Sequence, residues 1–174
     1  GIGAADDEYI KVGAKVVDGP EEIFRNSEMI VKVKEPQETE WKMLREDQII
    51  FTYLHLAADP KQAKGLIDAK CHAIAYETIL DKSGSLPLLT PMSEVAGRLA
   101  VIEAAHHLKS HNGGNGLLIS GVPGTNPANV LIIGAGVVGS NATKLAVGMG
   151  AKVTVVDKSL SKLRVLSDIY GNKI

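Results

Sequence analysis

Val130-Leu131-Ile132-Ile133-Gly134-Ala135-Gly136-Val137-Val138-Gly139 is the stretch on which the fold turns. Four apolar, mostly β-branched residues are too few for a helix and read as a buried strand running into a glycine turn. The three glycines differ in what they do. Gly134 permits the tight turn, Gly136 lets backbone approach a pyrophosphate, and Gly139 lets the next helix pack closely on the strand. Phosphates would rest on the open N–H groups and positive end of that helix. A glycine string is weak evidence in a chain with 18 glycines, so the context decides. Ser140 to Met149 reads as a helix ended by Gly150, and Lys152 to Val156 as a second strand closed by Asp157. Asp157 follows Gly139 at close to the roughly 20 residues at which a carboxylate takes the ribose hydroxyls of a dinucleotide.

Composition narrows the function classes. The 174 residues are 45% hydrophobic and 22% charged, with a formal net charge of −1, which suits a soluble protein and offers no basic face for nucleic acid. No apolar run approaches the roughly 18 residues needed to span a bilayer, so no membrane partner is expected. Cys71 is the single cysteine, which excludes an internal disulfide and a thiolate metal cluster and fits a reducing, cytoplasmic setting. The chain opens at Gly1-Ile2-Gly3 without an initiator Met. Beyond Val130 it has room for only the first part of a sheet of about six strands. The expectation is an internal piece of a longer protein.

Upstream, helices alternate with strands. Asp6 to Val12 reads as a helical turn closed by Gly13, Ala14 to Val17 as a brief strand, and Pro20 as the first residue of a helix. Met29 to Lys34 is a strand stopped by Pro36, and Gln37 to Arg45 an amphipathic helix. Gln48 to Leu54 is a strand, Asp59-Pro60 begins a helix to Lys70, and Cys71 to Glu77 is a further strand. Such alternation implies a parallel sheet with its ligand edge at the carboxyl ends of the strands. Lys34, His55 and Glu77 fall at those ends and are expected on one edge.

Thr90-Pro91 begins a long helix to about Lys109, with Thr90 as N-cap, an apolar stripe of Val95, Leu99, Ile102 and Leu108, and small Ala96, Gly97, Ala100, Ala104 and Ala105 that permit close packing. Ser93, in its first turn, is either a ligand contact or a local cap. His107 and His111 share a helical spacing but lack a third ligand, so they read as cations near a helix end and no metal site is expected. Leu117 to Ser120 reads as a short strand. The fold class is α/β: two doubly wound parallel-sheet, Rossmann-like domains joined by a long helix, both incomplete. Residues 1–89 form part of a substrate domain, 90–110 the interdomain helix, and 111–174 the first part of a dinucleotide-binding domain.

Several stretches resemble one family. Lys32-Val33-Lys34-Glu35-Pro36, Phe51-Thr52-Tyr53-Leu54-His55-Leu56-Ala57-Ala58, Ala75-Tyr76-Glu77-Thr78, the block Leu86 to Arg98, and Gly121-Val122-Pro123-Gly124 look like alanine dehydrogenase. The resemblance implies reversible, NAD-dependent oxidative deamination of L-alanine to pyruvate and ammonium by a homo-oligomer, in this family a hexamer. It makes Lys34 the lysine that holds the substrate carboxylate or carbonyl and His55 the acid/base. It makes Ser93, the turn Gly134, Gly136, Val137, Val138 and Gly139, and also Asp157 and Lys162, the cofactor contacts. The family's substrate-binding arginine, and an aspartate and an asparagine, lie outside this chain. The NAD(H)-binding subunit of proton-translocating transhydrogenases has the same architecture, and Ala100 to His106 is similar to it. That subunit lacks the histidine block in this form and is the second reading.

Overall fold

The computed structural model describes residues 2–174, which fall into two compact units divided between Leu86 and Pro87. In the first unit the order is α1 (Asp6–Lys11), α2 (Pro20–Asn26), β1 (Met29–Val31), α3 (Glu38–Trp41), β2 (Ile49–Thr52), α4 (Pro60–Ala69) and β3 (His72–Ala75). The strands form one parallel sheet in the order β1-β2-β3, with Val31 beside Phe51 and Thr52 beside Ala75. Three parallel strands in chain order put every carboxyl end on the same edge, and Lys34, His55 and Glu77 follow those ends, as the alternation predicts. Ile50 and Leu54 are fully buried among Phe24, Ile30, Leu44 and Leu66, so the middle strand runs through the core.

Buried polar side chains hold the connections. Gln48 donates to the carbonyls of Phe24 and Ser27, tying the end of α2 to β2. Gln62 on α4 donates to the Leu54 carbonyl at 2.6 Å, which satisfies an acceptor where the strand has ended. Asp59 caps α4 through the N–H groups of Lys61 and Gln62, with Pro60 at the first position.

The second unit contains α5 (Thr90–His107), β4 (Asn129–Ile133), α6 (Val137–Gly148), β5 (Lys152–Val156) and α7 (Leu160–Tyr170). Strands β4 and β5 pair in parallel around α6, with Ile133 beside Val156. Helices α5 and α6 touch through Gly97, where a Cβ would stand 2.2 Å from the Val138 carbonyl oxygen. Only a glycine permits that approach. Val101, Ile132, Ala142, Ala146 and Val153 form the core beneath.

Several local expectations change. Ala14–Val17 is not a strand: Val16 is exposed and the segment has no strand beside it, and an unpaired strand gains nothing from extension. Leu117–Ser120 is likewise irregular, with the Ile119 carbonyl accepting from Ala128 N–H and the Leu118 carbonyl from Gly121 N–H. The strands are shorter than their apolar runs, and α3 stops at Trp41 rather than Arg45. Helix α6 starts at Val137, three residues ahead of the expected Ser140, because Gly136 itself is the extended N-cap. Thr90 is the first helical residue of α5, with Leu89 at the cap position. On α5 the expected apolar stripe is reversed: Val95, Leu99 and Ile102 are about half exposed, while Gly97 and Val101 are buried. Close backbone approach through small residues decided which face packs.

Candidate functional site

The carboxyl edge of the first sheet gathers one imidazole, two carboxylates and one ammonium. His55 follows β2 in a left-handed conformation, φ 47° and ψ 38°, which an L side chain adopts at a cost of about 1–2 kcal/mol. Something must hold it there. The Glu77 carboxylate, just past β3, accepts the N–H of His55 at 2.7 Å and that of Leu54 at 3.1 Å. Burial pushes the Glu77 carboxyl up, but the N–H groups of His55, of Glu77 itself and of Leu54 outweigh it and leave the group below its ordinary range. Glu77 therefore anchors the backbone on which the imidazole stands.

The ring is held separately. His55 Nδ1 lies 3.3 Å from Glu35 Oε2, and the ring stacks on Tyr53 with centroids 6.1 Å apart. Tyr53 in turn meets Tyr76 edge-on. The Glu35 carboxyl is held below its ordinary range, first by its own backbone N–H and then by the His55 ring. Thr52 Oγ1 donates to the Lys34 carbonyl at 2.8 Å, which fastens the loop after β1 to β2. The Lys34 side chain is exposed and makes no hydrogen bond or ion pair among the described residues. An unengaged ammonium on the same edge as a half-exposed imidazole can bind a carboxylate or carbonyl oxygen beside a proton donor and acceptor. Strand ends and motifs mark Lys34, His55 and Glu77 in the sequence but pass over Glu35, which stands between Lys34 and Pro36. The signal that could have found it is a carboxylate at a strand end, facing a histidine across a parallel pair.

In the second unit the glycine turn has the geometry its spacing demands. Gly134 sits at φ 106° and donates to the Val156 carbonyl, closing β4 onto β5. A Cβ on Gly139 would stand 1.7 Å from the Gly134 carbonyl oxygen, while a Cβ on Gly136 would meet nothing within 4 Å. Gly139 thus serves packing, and Gly136 faces open space, as close approach of a ligand requires. The N–H groups of Val137, Val138 and Gly139 open α6 without intrahelical acceptors. A cleft of about 550 Å³ runs past the turn, lined by Ser93 of α5, Leu131, Ile133, Gly134 and Gly136. These features fit a pyrophosphate at the helix end with the rest of the molecule along an apolar wall.

Asp157 does more than wait for a ribose. One carboxylate oxygen accepts Ala135 N–H at 2.6 Å, inside the turn, and the other accepts Ser159 N–H at 2.6 Å. These two donors hold its carboxyl below the usual range, with Lys162 and Lys158 adding to the effect. Each oxygen keeps a further lone pair for a hydroxyl. The Ser93 hydroxyl makes no hydrogen bond among the described residues, and Ser93 lies inside the helix rather than at its cap.

A parallel sheet ending in a charged edge, and a βαβ unit opening on a glycine turn, define an α/β protein built on parallel sheets. The chain belongs to the alanine dehydrogenase/PNT family: the N-terminal domain of that family matches residues 1–96 and the C-terminal domain residues 100–174. It is 51% identical to an alanine dehydrogenase of Methanococcus maripaludis over the whole of this chain and 47% of that protein. It is 48% identical to the Bacillus subtilis alanine dehydrogenase, again over the whole chain and 46% of the relative. A solved L-alanine dehydrogenase superposes with a TM-score of 0.88 at 45% identity, covering 99% of this chain and 47% of the other. A transhydrogenase from Sinorhizobium meliloti shares the fold, with a TM-score of 0.74 at 23% identity over 96% of this chain and 49% of the other. The chain spans about half the length of the curated relatives it matches.

Proposed function

We propose that the protein to which this chain belongs is an NAD-dependent alanine dehydrogenase, interconverting L-alanine with pyruvate and ammonium. The observation that carries the reading is the carboxyl edge of the first sheet, where an unengaged Lys34 and a half-exposed, twice-anchored His55 stand together. Identity near 50% to proteins named alanine dehydrogenase supports it over the transhydrogenase alternative.

In this reading Lys34 binds the substrate carboxylate or carbonyl and polarises it. His55 moves a proton to or from the substrate heteroatom, which imidazole does near neutral pH. NAD, when bound, supplies hydride acceptance, the one chemistry that no side chain offers. Gly134, Gly136, Val137, Val138 and Gly139 would hold its pyrophosphate, Asp157 the adenosine ribose, and Ser93 and Lys162 further polar groups. Residues 1–89 belong to the substrate domain, 90–110 to a connecting helix and 111–174 to the cofactor domain. The protein is a cytoplasmic homo-oligomer, by family resemblance a hexamer.

The test is alanine-dependent NADH formation by the complete protein and its His55→Ala variant. A loss of turnover of about 10²-fold or more is expected, the scale of a lost acid/base. Near-normal turnover by His55→Ala, or none by the parent protein, would sink the reading.

A further inference from the structure

Two carboxylates meet His55, and they do different work. Glu77 binds main-chain N–H groups and never reaches the ring, whereas Glu35 is on the ring nitrogen Nδ1 at 3.3 Å. An ionised carboxylate only accepts hydrogen bonds, so a neutral imidazole facing it must carry its proton on Nδ1. The lone pair is then on Nε2, the nitrogen that does not touch Glu35. The Tyr53 ring stacked on the imidazole at an interplanar angle of 15° limits the ring flip that would put Cδ2 in place of Nδ1 against Glu35. The other groups coupled to this pair are Glu77, which feels the charge of His55, and Lys34, whose ammonium favours the ionised form of Glu35.

We infer that Glu35 is a positioning residue: it fixes the Nδ1–H tautomer of His55 and leaves Nε2 as the nitrogen that exchanges a proton with substrate. This rests on the reading of His55 as the acid/base. A carboxylate orienting a histidine in this way is a recurrent device for general-base catalysis, because the wrong tautomer presents a donor where an acceptor is needed.

The experiment uses the complete protein labelled with ¹⁵N-histidine, with the His55 ring assigned by difference from His55→Gln. Ring-nitrogen shifts above the histidine titration report the tautomer independently of activity. The parent is expected to show Nδ1–H, and Glu35→Gln, whose amide can either accept from Nδ1–H or donate to Nδ1, to weaken that preference. Glu35→Ala is expected to shift the neutral ring toward Nε2–H. Its kcat should fall about tenfold or more, while the KM for NAD stays within about twofold. An unchanged tautomer in Glu35→Ala, with turnover still dependent on His55, overturns the inference alone. A tautomer switch in a protein whose turnover does not need His55 overturns the functional reading on which it rests.

Discussion

Glu77 shows how one side chain can hold a strained residue in place. Its carboxylate accepts two backbone N–H groups at the point where His55 turns left-handed. Hydrogen bonds to a charged acceptor are worth about 1.5–3 kcal/mol, enough to offset the about 1–2 kcal/mol of an αL side chain. One oxygen of Glu77, Oε1, accepts both N–H groups, so Glu77→Gln keeps the acceptor but removes the charge that strengthens both bonds. It is therefore expected to destabilise the loop by about 2 kcal/mol. Faster amide exchange at Leu54 and His55, with unchanged exchange in α6, checks this. The pH dependence follows from the lowered pKa. The stabilisation is fully present above the ordinary glutamate value of 4.5 and is lost as pH falls below it through the lower folded value. Loop protection that persisted unchanged through that fall in pH would refute the anchor. That His55 and Lys34 share an edge was legible from spacing, because parallel strands line up their ends. The tether through Glu77 and the stacking on Tyr53 were not, since they depend on how side chains meet once the strands are assembled.

At the scale of elements, the turn between β4 and α6 separates two uses of glycine. Gly139 is required by the fold, since its missing Cβ would overlap the Gly134 carbonyl oxygen. Gly136, at φ −77° and facing open space, is required only by whatever approaches it. Gly136→Ala is expected to cost no more than about 1 kcal/mol, the scale of a changed N-cap residue. It should also abolish the stabilisation by NAD, about 2.7 kcal/mol at a hundredfold excess over Kd. Gly139→Ala is expected to cost about 1–3 kcal/mol or more without any ligand. Denaturation with and without NAD distinguishes them, and a Gly136→Ala variant with full NAD stabilisation would remove the turn from the cofactor site. The strand–glycine–helix–strand order was readable because each step is local. On α5 the small residues that permit close packing, Gly97 among them, were readable too, but not that Val95, Leu99 and Ile102 would be left exposed once α6 closed on Gly97.

For the whole molecule, the open face of the second sheet is the largest consequence. Ile133 is 83% and Leu131 61% exposed on β4, and Val156 is 51% exposed on β5, although parallel sheets normally bury both faces. The 174-residue chain is expected to self-associate through this surface, and Leu131→Glu to reduce it without unfolding the chain. Light scattering on a sizing column checks this; a strictly monomeric parent chain would contradict it. The sequence by itself determined the α/β class, the parallel pairing, the glycine turn and the carboxyl-edge position of Lys34, His55 and Glu77. All of these follow from periodicity, turn chemistry and chain order, which act between near neighbours. Only the tertiary structure decided that Ala14–Val17 stays irregular, that α5 leaves Val95, Leu99 and Ile102 exposed, that Asp157 ties down the turn at Ala135, and that Glu35 and Glu77 divide the ring and backbone of His55 between them. Those outcomes depend on which distant groups arrive within hydrogen-bond or van der Waals distance, and no local pattern encodes that.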